Sequence, residues 1–387
     1  MNLRALLALA GLSLIAASAW FFIESVTGTG DPVPAAVEPR TLQSGPPSPQ
    51  APSTRSSDSG TVAEGAGKKP SMNWQRLGAL MNGGDASALP APSSGDVARF
   101  LAKHGETAEN LVVAFQRTRD RRLLDRALAL FPNSPLVLMA AIDGTPQKPA
   151  QVGQQYGADA ERVDLIERWK AADPNNPLPW IYSAQERFKA GPSADAVAEV
   201  REALEHSGFY TYSTERMDAA QQLYETMGLH PTEASLFAMT GLTFVPAGEV
   251  NQTARMLMEW RKKAADSGDA AAADEALRLT YGLGRIFATP EASRYLIGQL
   301  VGISMEARVL AELPADARPE WLSSSPAQLR AEIDAIKQDV REAVGGLEPV
   351  IQSRNEEVLS EYSRRMRNEG EAAALAWLKR TGAGKGR

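Results

Sequence analysis

The sequence predicts an all-α protein in which helical hairpins follow a membrane anchor and a long linker. Alanine is abundant and β-branched residues are sparse, a balance that favours helix because alanine loses no side-chain freedom there. From Asn73 onward, apolar residues recur at steps of three and four, which is the period of an amphipathic helix. No segment alternates polar and apolar residues convincingly, as a half-buried strand would. The body, residues 72–380, is therefore predicted to be helical throughout.

The N-terminal residues 1–23 are predicted to anchor the chain in a membrane. The stretch Ala5–Ile23 contains no charged residue, and as a helix it would span about 28 Å, close to the ~30 Å hydrocarbon core of a bilayer. Arg4 precedes the stretch and Glu24 follows it. The excess of positive charge on cytoplasmic flanks then predicts a single pass with a cytoplasmic N-terminus and an extracytoplasmic body.

The alternative for this segment is a cleaved signal peptide. Ala17-Ser18-Ala19 has the small-x-small pattern of a signal peptidase site, so cleavage near Ala19 would leave a secreted or periplasmic protein. The anchor is favoured because apolar residues continue past that site. Both interpretations export the same body.

Residues 24–71 have the composition of a disordered linker. They include eight prolines among Ser, Gly, Ala and Thr, and they contain no Phe, Tyr, Trp, Ile or Met. Such a segment cannot bury enough apolar surface to offset the entropy of ordering it. The last residues, 381–387, are predicted to form a flexible tail.

Apolar spacing and stop signals place the helices of the body in order. Pro132 and Pro135 end one helix and begin another, and Gly345-Gly346 ends a long one. A Gly/Pro/Gln-rich loop is predicted over Asp143–Tyr156. Outside the hairpin described next, the predicted helices are Trp74–Met81, Gly95–Lys103, Ala108–Thr118, Arg119–Phe131, Leu136–Ile142, Asp159–Ala172, Thr214–Met227, Pro231–Met239, Gly248–Ser267, Ala270–Phe287, Pro290–Leu313, a helix after the capping box Ser325–Gln328, and one or two over Val358–Arg367 and Glu371–Lys379.

Two smaller features of the body also carry expectations. Gly282, Gly284, Gly298 and Gly302 are expected to let helices pack closely or to mark bends. The aromatic residues Phe209, Tyr210 and Tyr212 are expected to fill a joint between helix pairs, with a surface for gripping peptides or glycans as the alternative.

The clearest hairpin lies over Asp173–Glu205, where a turn, a helix, a tight turn and a second helix follow one another. Proline stops one helix before the turn, and small residues stand where two helices would touch. On these residues the stretch resembles a tetratricopeptide repeat, which implies an α-solenoid that binds proteins or peptides. The residues that carry the resemblance are Pro174, Trp180, Ala184, Gly191, Ala196, Ala203 and Leu204.

The resemblance is good over one repeat and partial over a second. Ser183 and Arg187 stand where the repeat usually has Leu and Tyr, and Gly208 replaces a closing proline. Pro132 and Pro174 begin corresponding turns 42 residues apart, against about 34 in a regular repeat. A degenerate solenoid is therefore predicted, with a generic helical bundle as the alternative. Tyr281–Leu313 is similar to helical segments of exported bacterial proteins, and that similarity implies no activity.

Motifs for catalysis, cofactors and metals are missing from the sequence. There is no cysteine, and the three histidines stand outside metal-ligand spacings. Gly302-Ile303-Ser304-Met305-Glu306 lacks the final glycine of a nucleophile elbow, and Gly282-Leu283-Gly284 lacks the third glycine of a dinucleotide site. The net charge of −6 is spread along the chain, which argues against nucleic acid. We therefore predict no catalytic residue, cofactor or metal.

Two functions follow from these features. The first is a membrane-tethered extracytoplasmic scaffold that binds proteins or peptides without catalysis, because an anchor and a linker precede a repeat-like body. The second is an all-α cell-envelope enzyme of the glycan lyase or transglycosylase kind, which would use a single acidic residue that carries no sequence motif. A deep cleft with a desolvated Glu or Asp would favour the enzyme.

Overall fold

The computed structural model describes residues 71–81, 90–145, 159–240, 245–289, 292–345 and 354–381. Within these ranges every regular element is a helix, which confirms the all-α prediction, and none is long and apolar enough to cross a bilayer. The predicted anchor, nearly all of the linker and residues 382–387 lie outside the described residues. The helices are α1 Trp74–Met81, α2 Ser94–His104, α3 Ala108–Thr118, α4 Arg121–Leu130, α5 Pro135–Gly144, α6 Ala160–Ala172, α7 Pro177–Phe188, α8 Ala194–Glu205, α9 Ser213–Thr226, α10 Pro231–Thr240, α11 Val245–Asp266, α12 Ala270–Ile286, a 3-10 turn Ala292–Arg294, α13 Leu296–Ala311, α14 Pro326–Gly345, α15 Glu356–Glu369 and α16 Glu371–Thr381.

Side-chain caps fix where many helices begin. Ser93 and Asp96 form a reciprocal capping box at α2, which satisfies backbone N–H groups that the first turn leaves without partners. The predicted box at α14 is confirmed, since the amide of Gln328 donates to Ser325 Oγ at 3.4 Å and the amide of Ser325 donates to Gln328 Oε1 at 3.2 Å.

Helices that follow each other in the chain pack together, as in α3 with α4, α7 with α8, α9 with α10, α11 with α12 and α15 with α16. The largest apolar core joins α3 to α8 with α11 and α12. A second core gathers residues of α1, α9, α10, α15 and α16. The chain thus folds back on itself, because α1 and the last two helices meet in one core.

Close packing at glycine is confirmed between α12 and α13. A Cβ atom placed on Gly284 would lie 2.9 Å from the carbonyl oxygen of Gly302, and one on Gly302 would lie 2.7 Å from that of Gly284. Distances this short are repulsive, so only glycine allows the two backbones to touch.

The predicted start of the helix over Pro290–Leu313 is wrong. Thr289 accepts a hydrogen bond from the amide of Ala292, so its cap serves the short 3-10 turn, and α13 begins only at Leu296. Its N-cap, Tyr295, supplies no side-chain cap. The carboxylate of Glu371 takes that role from α16, accepting from the Leu296 amide at 2.8 Å. The predicted loop is also shortened, because Asp143 and Gly144 belong to α5.

We expect Ala196→Leu to destabilise the body, because Ala196 is fully enclosed where α8 meets α7. Overpacking at such a position costs about 1–3 kcal/mol. Ala198→Leu on the exposed face of the same helix is the matched control. Urea unfolding of the full chain in detergent, followed by circular dichroism, measures both variants. Equal stability of the two would show that α7 and α8 are not closely packed there.

Candidate functional site

An open groove lies between α2, α3 and α4, with a cavity volume of about 670 Å³. Ala98 and Ala102 on α2 are exposed along it, so it is accessible from solvent. Its walls are mostly small or apolar side chains with a few polar ones. The lining residues are Ala91, Pro92, Ser94, Val97, Ala98, Leu101, Ala102, Glu106, Arg117, Thr118, Asp120 and Leu123.

A sharp turn between α3 and α4 shapes the groove. Arg119 ends α3 in the left-handed conformation with φ of 60°, which is uncommon for a residue with a side chain. The next residue, Asp120, caps α4 by accepting from the Arg122 amide at 3.1 Å. Because the chain reverses within two residues, α3 and α4 lie side by side as neighbouring walls.

The charges of the groove leave one cation without an ionic partner. The two lining carboxylates are both neutralised, Glu106 by Arg126 at 2.5 Å and Asp120 by Arg122 at 2.7 Å. Arg117 is half-buried and makes no hydrogen bond or ion pair within the described chain; its guanidinium lies over the ring of Tyr224, 5.5 Å from the centroid. Burial, aided by the nearby charge of Arg119, lowers the pKa of Arg117.

The residues of the repeat-like hairpin lie away from this groove. Pro174 is exposed in the turn before α7, and Gly191 turns the chain with φ of 108°. Leu204 contacts α12 at Gly282. The small residues Ala184, Ala196 and Ala203 are fully buried, and Trp180 is half-buried. None of these seven residues lines the groove.

An ion network includes two of the residues at which the hairpin departs from the repeat pattern. Lys170 on α6 donates to Ser183 at 3.0 Å and to Glu199 at 2.8 Å, and its ammonium lies 4.3 Å from the centre of the Trp180 ring. Arg187 completes the network by donating to Glu199 at 3.0 Å. Ser183 and Arg187 are therefore both members of this ion network.

Two members of the aromatic cluster fill a joint, as expected. Phe209 and Tyr212 are buried, whereas Tyr210 is 42% exposed. The hydroxyl of Tyr212 accepts from the indole of Trp169 at 3.1 Å and from the amide of Asn176 at 3.2 Å. The cluster thus closes the loop between α8 and α9 onto the turn before α7.

A polar cluster occupies the interior where α5, α6 and α7 meet. Arg162 donates to Glu186 and to the carbonyl oxygen of Ile142, both at 2.5 Å. Lys189 adds a second cation to Glu186 at 2.7 Å. Because Ile142 lies in the last turn of α5, the arginine also supplies positive charge to that helix's C-terminus.

Two carboxyl groups beside this cluster have raised pKa values. Desolvation, followed by the charge of Glu249, raises the pKa of Asp143 to about 7. Desolvation likewise raises the pKa of Glu249. The Tyr182 hydroxyl donates to Asp143 at 3.1 Å, and Arg216 on α9 donates to the carbonyl oxygens of Thr211 and Tyr212. Hydrogen bonds of the cluster therefore join α5, α6 and α7, and Glu249 of α11 and Arg216 of α9 act on Asp143 through their charges.

This cluster has the chemistry of an acid–base pair but lies apart from the groove. A carboxyl group that titrates near pH 7 is suited to general acid catalysis. Neither Asp143 nor Glu249 lines the groove, however, so a substrate held there would not reach them. Among the described residues no group of three or more His, Asp or Glu is arranged to hold a metal ion.

No protein family, curated protein or solved structure matches this chain.

The residues that line the groove do not form a recognisable sequence motif. Arg117 stands in an arginine-rich stretch with Arg119, Arg121 and Arg122, which the sequence alone presents as an ordinary solvated face. What distinguishes Arg117 is that it is half-buried without an ionic partner, and its burial depends on the packing of three helices.

We expect the stability of the body to fall as pH rises from about 4 to about 7, in part through Asp143. Its folded pKa of about 7 exceeds the unfolded value of 3.8, so the folded state holds a proton that the unfolded state has lost. Over pH 5 to 7 the contribution of Asp143 is on the order of 2 kcal/mol. Glu371, whose pKa burial also raises to about 7, adds to the same slope.

Asp143→Asn should therefore flatten the pH dependence of the free energy of unfolding between pH 5 and 7. Asp125→Asn, at an exposed carboxylate on α4, should leave the slope unchanged. Urea unfolding at a series of pH values measures both. A slope in Asp143→Asn equal to that of the parent protein would show that Asp143 does not titrate in this range.

Proposed function

We propose that this protein is a membrane-tethered extracytoplasmic scaffold that holds a protein or peptide segment in the groove between α2, α3 and α4. The observation that carries the proposal is the groove itself, whose open form and small, mostly apolar lining suit an extended chain. Its two carboxylates, Glu106 and Asp120, are engaged in ion pairs. Carboxylates held in ion pairs are not placed as general acids or bases, and this supports a groove that binds without catalysis.

The sequence before the body supports the tether. The apolar segment 5–23 has the length of a membrane helix, and a flexible linker over residues 24–71 would reach about 40 Å on average. Confinement within that distance raises the effective concentration of the body near the membrane. In this proposal the helical pairs form a degenerate tetratricopeptide-like solenoid, of which α7 and α8 are the best-matching repeat.

A second candidate function is the all-α cell-envelope enzyme. The desolvated carboxyl group of Asp143 favours it, since its pKa of about 7 suits a general acid. Release of soluble fragments from purified peptidoglycan by the full chain, and loss of that release in Asp143→Asn, would replace the scaffold with this alternative. The scaffold is preferred because the open groove does not lead to that residue.

Position-specific cross-linking tests the scaffold. We expect a benzophenone amino acid at Ala102, which is exposed in the groove, to cross-link a partner in native membranes. The same group at Ala198, which is exposed on α8, is the control and should give far less product. Equal or absent cross-linking at the two positions would contradict binding in the groove.

A further inference from the structure

Arg117 is the feature of the groove that binding of an apolar peptide does not explain. It is half-buried over the Tyr224 ring, its pKa is lowered by burial, and it has no ionic partner in the described chain. Removing a charge from water without pairing it is unfavourable. Every other charge of the groove lining is matched, because Glu106 and Asp120 each hold an arginine.

The geometry of Arg117 fits recognition of a carboxylate. Arg117 lines the groove and its guanidinium carbon lies 5.5 Å from the centroid of the Tyr224 ring; a guanidinium is planar and presents its N–H donors as a rigid fork. Two parallel N–H donors match the two oxygens of a carboxylate, and such charge-assisted bonds are stronger than neutral ones. The protein carries a net charge of −6, so the positive charge of Arg117 is opposite in sign to the charge of the protein as a whole.

The groove favours a carboxylate on a side chain over a C-terminal carboxylate. C-terminal carboxylates are commonly captured by backbone N–H groups at helix starts or nests. The start of α2 has its own acceptors, since Ser93 Oγ accepts from the Asp96 amide at 3.1 Å and the Asp96 carboxylate accepts from the Ser93 amide at 2.9 Å. Arg117 is then the remaining donor for an anion.

We propose that Arg117 binds an aspartate or glutamate side chain of an extended partner peptide, with small or apolar residues on either side of it. This inference rests on the proposed function, because it names the partner that the groove would hold. The flanking residues would lie against Val97, Leu101 and Leu123, and the acidic residue would pair with the guanidinium over Tyr224.

The experiment uses the full chain in native membranes with benzophenone at Ala102, combined with substitutions of Arg117. We expect Arg117→Gln to reduce the cross-linked product at least about tenfold, because it removes the charge that the partner's carboxylate needs. Arg117→Lys keeps the positive charge but cannot form a bidentate hydrogen bond to a carboxylate, so an intermediate yield is expected. Arg121→Gln, at an exposed arginine of α4 whose ionic partner Asp125 does not line the groove, is the matched control and should leave the yield unchanged.

Mass spectrometry of the cross-linked product then identifies the bound segment. We expect an Asp or Glu near the cross-linked residue, and a synthetic copy with Asn or Gln in its place should compete at least about tenfold less well. A partner C-terminus, or residues 24–89 of the same chain, in the product would overturn the inference. Circular dichroism of each variant checks that it folds. If Arg117→Gln does not fold, the yield of Arg117→Lys and the competition by the peptides test the inference instead.

The two proposals can fail separately. If Ala102 cross-links a partner and Arg117→Gln leaves the yield unchanged, the groove binds a partner but the carboxylate inference is wrong. If Ala102 in the parent protein gives no more product than Ala198, the proposed function itself is wrong.

Discussion

Arg162 and Glu186 form an ion pair in the interior, with side chains only 3% and 1% exposed. Burying two charges costs several kcal/mol per ion, and only good geometry and further hydrogen bonds offset that cost. Here the arginine also donates to the carbonyl oxygen of Ile142 in the last turn of α5, and the glutamate also accepts from Lys189. Within the described residues, Nη2 of Arg162 and Oε2 of Glu186 have no hydrogen-bond partner. These directional contacts fix how α5, α6 and α7 lie against one another, whereas apolar contacts alone would tolerate sliding.

The arrangement of the groove depends on this interior. The helices α3 and α4 both pack on α5, while α2 and α3 both pack on α9. The helix α5 is held by Arg162, and α9 carries both Arg216 and the Tyr224 ring that supports Arg117. For the proposed partner, a groove supported in this way would be preorganised, which reduces the entropy lost on binding. The groove and the polar interior therefore share α5 as a common support.

Features that depend on residues close together in sequence were predictable, whereas features that depend on contacts between distant segments were not. The capping box of Ser325 and Gln328 follows from a short-range rule on hydrogen bonding, and close helix packing at glycines follows from side-chain volume. That Gly284 meets Gly302 was not predicted. The start of α13 was not predicted correctly either, because its cap comes from Glu371, which is 75 residues away in sequence from Leu296. The groove escaped prediction for the same reason. Helical spacing indicates which face of α3 is polar, but only packing shows that Arg117 lacks a carboxylate.

The central claim is that the pair of Arg162 and Glu186 holds the helices in register, and a double-mutant cycle tests it most directly. Urea unfolding of the full chain would compare Arg162→Met, Glu186→Gln and the double variant. Glu186→Gln should cost about 3–5 kcal/mol, because it leaves the buried charge of Arg162 without its ionic partner. Arg162→Met should cost less, because Lys189 still pairs with Glu186. The double variant should lose at least about 2 kcal/mol less than the sum. Additivity within about 0.5 kcal/mol would contradict the account, since it would mean that the two side chains do not act as a pair.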